Sequence, residues 1–137
     1  MLAVGPGRYG SPMEPGPHRA LGATFLFAGL LHFLRPRWYE AIMPPYLPAH
    51  RALVYASGAA EMAGGAAALH PRTRAAGGWW LIATLLAIFP ANIHVATHTE
   101  EIPGDAVQRI PRWLHYLRLP LQSVFVAWAW HATHPRK

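Results

Sequence analysis

Glu61 is the tenth residue of an otherwise apolar run of small residues, Ala52–Leu69 (ALVYASGAAEMAGGAAAL). At mid-bilayer depth a carboxylate costs roughly 2.5–3.5 kcal/mol on insertion scales, and it persists only facing a bundle interior with a partner. A residue so placed marks a functional site by default. Further polar side chains interrupt apolar stretches at His32, Asn92, His94, His98, His115, Arg118 and Gln122. His115, Arg118 and Gln122 recur at i, i+3, i+7 and share one helical stripe, as do Gly58, Glu61 and Gly65. Small residues beside a carboxylate allow close helix approach and leave room for a ligand or a partner side chain. Pro90 precedes Asn92 and lacks the N–H that would close the ladder one turn earlier, so backbone carbonyl also becomes available there. The energetics predict a pairing of Glu61 with Arg118, with Asn92 and Gln122 as neutral donors and acceptors. Such a pair either serves a site or only holds the bundle in register. His94 and His98 stand at i, i+4, a spacing at which two imidazoles can share a metal. No HExxH motif and no nearby second carboxylate accompany them, and no metal site is expected.

These residues need elements to hold them, and four apolar runs supply them: Ala20–Leu34, Ala52–Leu69, Ala75–Thr97 and Trp113–His131. The first is short for the ~20 residues that span a bilayer core, a deficit its flanking Arg side chains offset by snorkelling. Hydrophobic residues make up 53% of the chain and charged residues 13%, whereas soluble domains carry about 25% charged residues. Mean hydropathy is only +0.13 because Pro, His and the connecting segments lower it. The expected fold is all-α, an integral membrane four-helix bundle over residues 18–131, after a disordered tail at 1–17 and before a polar end at 132–137. The absence of cysteine excludes disulfides, thiolate metal sites and thiol redox chemistry within the chain. The net charge of +6 comes from Arg spread between the runs. That reads as membrane flanks, not as the basic stripe of a nucleic-acid binder.

Trp and Tyr collect at membrane interfaces. With both termini on one side, Trp79, Trp80, Trp128 and Trp130 fall at that boundary, and Trp38, Tyr39, Tyr46, Tyr55, Trp113 and Tyr116 at the other. Arg8, Arg19, Arg72, Arg74, Arg136 and Lys137 on the terminal side slightly outnumber Arg35, Arg37, Arg51, Arg109 and Arg112 opposite, which predicts cytoplasmic termini. His32, Glu61, Asn92, His98, His115, Arg118 and Gln122 then all lie at mid-depth or toward the non-cytoplasmic face. That is the layout of a polar cavity opening there. The Pro44–Pro48 segment (PPYLP) cannot continue a helix and is expected to lie across the mouth, as a rigid linker or a lid.

In order along the chain stand Gly29-Leu30-Leu31-His32-Phe33, Met43-Pro44-Pro45-Tyr46-Leu47-Pro48, Ser57-Gly58 with Glu61, Phe89-Pro90-Ala91-Asn92 and Leu117-Arg118-Leu119-Pro120-Leu121-Gln122. In these segments the chain resembles the DoxX family of small four-helix bacterial membrane proteins, over nearly all of Leu21–Trp130. The resemblance implies a bacterial inner-membrane, multi-pass protein in which His32, Glu61, Asn92, Arg118 and Gln122 form a shared polar site. The family takes its name from a subunit of a thiosulfate:quinone oxidoreductase, so a redox-complex subunit that meets a quinone is one expected function. There His32 or Arg118 would donate to a quinone oxygen and Glu61 would relay a proton. No haem or flavin motif is present in the chain, so a redox protein partner would supply electrons. The resemblance names no cofactor, and the missing cysteine sets sulfur chemistry apart. Other readings are a carrier of a small apolar or weakly acidic molecule, eased by a homodimer, a purely structural membrane subunit, and an isomerase-like enzyme acting on a sterol-like lipid. The lipid bilayer is a partner in all of them, and nucleic acid in none.

Overall fold

The computed structural model describes residues 16–102 and 108–134, and all regular structure among them is helical. The helices are α1 (Pro17–Leu34), α2 (Pro36–Ala41), α3 (His50–Leu69), α4 (Arg74–Thr97) and α5 (Arg112–Thr133). The four long helices coincide with the four apolar runs. Of the expected tail, residues 1–15 lie outside the described residues, and Pro17 already opens α1. Asp105 and residues 135–137 of the expected polar end also lie outside them. Ala132 and Thr133 of that end continue α5 and are buried.

Proline sets the boundaries. Arg35 precedes Pro36 and leaves the helical region at φ −134°, ψ 49°, which ends α1. Pro36 then occupies the first turn of α2, where its missing N–H costs nothing. The extended His70 before Pro71 ends α3 in the same way. Two of the last α3 carbonyls are still satisfied, Ala67 by the Thr73 hydroxyl at 2.9 Å and Ala68 by Arg74 Nε at 3.3 Å. Pro90 and Pro120 lie inside α4 and α5, which continue through them.

Glycine sets the packing. A Cβ on Gly29 would stand 2.5 Å from the Gly58 carbonyl oxygen, and one on Gly58 would stand 2.8 Å from the Gly29 oxygen. Gly22 and Gly65 show the same reciprocity, each at 2.8 Å from the other's oxygen. The pairs are seven residues apart on both helices and run in opposite directions, so α1 and α3 are antiparallel with their backbones in contact. Gly77 meets the Ala67–Ala68 backbone of α3, and Gly78 meets the Thr133 hydroxyl of α5. The close neighbours are α1 with α3, α3 with α4, and α4 with α5, while α5 touches α1 and closes the ring. That leaves α3 diagonally opposite α5.

The two ends of the bundle differ. Leu21, Phe25, Ala68, Leu81, Leu85, Ala129 and Ala132 form the buried apolar core, toward the end where α1 begins and α5 ends. His32, Glu61, His115 and Gln122 are buried from mid-bundle to the opposite end. Large apolar side chains such as Phe27, Leu34, Leu86 and Val124 face outward and are exposed. Among the described residues one helix, α4, is by itself long and apolar enough to cross a membrane. Glu61, the glycines, Ser57 and Tyr55 lower the hydropathy of α3, and Arg112, Arg118 and two His lower that of α5.

Candidate functional site

At the polar end the four helices stand apart around a cavity of about 650 Å³. Its walls carry His32 from α1, Ser57 and Glu61 from α3, Asn92 from α4, and His115 and Arg118 from α5. Ala28, Val54, Ile88 and Ala91 make the remainder apolar. A second cavity, of about 270 Å³, continues toward the core. It shares Glu61, Asn92 and Arg118 with the first and adds Gln122. The five residues expected from sequence, His32, Glu61, Asn92, Arg118 and Gln122, therefore surround two contiguous cavities.

Their pairing differs from expectation. Glu61 and Arg118 do not come within the 4.0 Å of an ion pair, and neither Asn92 nor Gln122 bridges them. The reason is the ring order: α3 and α5 are diagonal, and the cavity lies between them. Polar groups pair instead across neighbouring helices. On the α1–α3 wall His32 Nδ1 stands 3.6 Å from Glu61 Oε2. The backbone contact at Gly58 permits this, since a Cβ there would stand 2.6 Å from the His32 Cβ. The glycines that flank Glu61 thus admit α1, and they leave no space for a ligand on that side. On the α4–α5 wall Asn92 Nδ2 donates to Gln122 Oε1 at 2.6 Å, and Gln122 Nε2 donates to the Leu85 carbonyl. That carbonyl adjoins the Leu86 carbonyl, to which Pro90, having no N–H, cannot donate.

His32 Nδ1 lies 2.9 Å from the Ala28 carbonyl, an acceptor only, so the proton resides on Nδ1 and is already engaged. Glu61 Oε2 is buried and receives no hydrogen bond. A buried acceptor of this kind carries a desolvation cost of about 1–3 kcal/mol, more if charged. The opening therefore holds a carboxyl group in need of a donor, facing a space with a guanidinium on its far wall.

The roof is the part sequence reasoning missed. It consists of α2 and the residues after it, with Arg37, Trp38, Tyr39, Ala41, Ile42 and Met43 lining the cavity. The Pro44–Pro48 segment expected there lies beyond it; Pro44 is buried, and its carbonyl accepts from His50 Nε2 at 3.1 Å. Tyr39 stacks on His32 with ring centroids 3.7 Å apart. Burial pushes the Tyr39 phenol above its ordinary value; the Glu61 carboxylate adds to the rise and the Arg118 guanidinium opposes it. From sequence Tyr39 reads only as an interface aromatic, and Ser57 only as part of a family-like segment. His94 and His98 stack at 4.6 Å at the end of α4, outside both cavities, and no third His, Asp or Glu joins them among the described residues.

Fold and site together define an all-helical protein with a roofed polar pocket between four helices. Residues 21–133 match the family described as a domain of unknown function, DUF8561, and the chain belongs to that family. The match runs from the buried Leu21 of α1 to the last residue of α5 and so includes every residue of the site. No curated protein and no solved structure matches the chain.

Proposed function

We propose that the protein is a multi-pass protein of the bacterial inner membrane, DoxX-like, whose pocket receives the polar head of a lipid-soluble molecule, with quinone the leading class. Large apolar side chains on the outer faces of the helices, with His32, Glu61, His115 and Gln122 inside, support immersion in lipid. Exposed Trp79, Trp80 and Trp130 near one end and Trp38, Tyr46 and Trp113 near the other support the two interfaces.

The observation that carries the reading is Glu61 Oε2, buried without a donor beside a cavity with Arg118 on the opposite wall. A locking ion pair would fill that space and satisfy both charges. The separation supports a ligand between them. A quinone carbonyl would accept from Arg118, and Glu61 would exchange a proton with the reduced ring. His32 packs beside Glu61 and is not the donor, because its Nδ1 proton is held by Ala28. Electrons would come from a redox partner protein.

Titration of the purified protein with a short-chain benzoquinone should give a saturable difference spectrum. Arg118→Gln should weaken it by roughly tenfold, the worth of a hydrogen bond from a charged group. A non-saturating signal of equal size in the wild type and in the Arg118→Gln and Glu61→Gln variants would mean simple partition into the detergent micelle and would defeat the reading.

A further inference from the structure

We infer that α2 is a lid over this pocket, latched by the Glu40–Arg51 ion pair and plugged by Tyr39. The inference rests on the pocket reading above and adds how the pocket is reached. None of the six residues of α2 is buried, so the segment has no core of its own and rests on its contacts with α1 and α3. Those contacts are few. Tyr39 stacks on His32, Arg35 lies 5.2 Å over the Trp38 ring, and Arg51 of α3 holds Glu40 through both carboxylate oxygens.

The backbone changes course at Arg35, directly before the lid, and again at Ala49, eight residues beyond it, where α3 begins. Arg35 breaks from α1, and Ala49, at φ 49°, is the positive-φ non-glycine residue among those described. An alanine holds that conformation only under local constraint. The Glu40–Arg51 pair is solvent-exposed on the Arg51 side. Neither Glu40 nor Arg51 lines the cavity, so the latch can be altered without touching the site. Exposed pairs are weak, which suits a latch that must release.

The chain contains no cysteine, so a single Ser57→Cys reports access to the cavity wall. Its rate of modification by N-ethylmaleimide is compared with that of Arg72→Cys in the exposed connection between α3 and α4. Breaking the latch with Arg51→Gln should raise the Ser57→Cys rate by roughly three- to fivefold, the range for an exposed pair. The charge swap Glu40→Arg with Arg51→Glu should restore the slow rate, and the Arg72→Cys rate should stay constant. A Ser57→Cys rate that is measurable but identical with the latch intact or broken overturns the lid while leaving the pocket standing. A Ser57→Cys unreactive in every background overturns the pocket and the lid with it. A rise at both positions, not reversed by the swap, marks general loosening and overturns the lid.

Discussion

His32 and Gln122 show how a polar side chain inside an apolar bundle acquires a defined role. Each commits one group to a backbone carbonyl, Ala28 for His32 and Leu85 for Gln122, and turns toward a neighbour on the next helix. Gln122→Leu should leave Asn92 Nδ2 and the Leu85 side of the ladder without their partner. The expected cost is about 1–3 kcal/mol, read as a lowered unfolding midpoint in detergent, and an unchanged midpoint would show that these bonds are not formed. Tyr39 belongs to the same scale. Its phenol is raised by burial, so the neutral form is favoured in the folded protein. The stability this contributes is complete below the ordinary tyrosine value of about 10 and is lost as pH rises through the raised folded value. Tyr39→Phe keeps the stack on His32 and should abolish that alkaline loss in melts between about pH 8 and 11. The polar residues themselves were legible in the sequence, because a charge or amide within an apolar run is conspicuous. Their partners were not. Arg118 was the only strong counter-charge in view for Glu61, yet which helices are neighbours is a property of the ring and not of the chain order.

At the scale of elements, glycine spacing decides which side chains meet. The seven-residue repeat Gly22–Gly29 against Gly58–Gly65 brings α1 onto α3 and so delivers His32 to Glu61. Gly58→Ala forces a methyl group to within 2.6 Å of the His32 Cβ. Overpacking of this kind costs about 1–3 kcal/mol and should also displace the imidazole. Ala59→Leu, on the exposed outward face of the same helix, should be tolerated. Matched thermal melts of the two variants decide the point, and equal losses would contradict the close α1–α3 contact. The long helices were legible from apolar runs punctuated by Arg and Pro, with starts within three residues of those observed and most ends coincident. The six-residue α2 was not. It only half-buries Tyr39 and leaves Trp38 exposed, so it has no apolar face to read, and its first residue is a proline that also reads as a linker.

At the scale of the whole molecule, the bundle is tight and apolar where α1 begins and α5 ends, and open and polar at the other end. If it spans a membrane, the open end takes a consistent side. Reporter fusions after Arg74 and after Lys137 should both read cytoplasmic, and a fusion after Arg112 should not. The inverse pattern would turn the pocket toward the cytoplasm, and a mixed one would end the four-crossing topology. The proposed lipid-soluble ligand occupies the space between Glu61 and Arg118. The most direct test is mass spectrometry of what organic solvent extracts from purified wild-type protein and from Glu61→Gln, which keeps the side-chain shape. One small molecule at near-stoichiometric amount is expected from the wild type, and its loss from the folded variant. The same extract from both, or bulk lipid alone from the wild type, would contradict it.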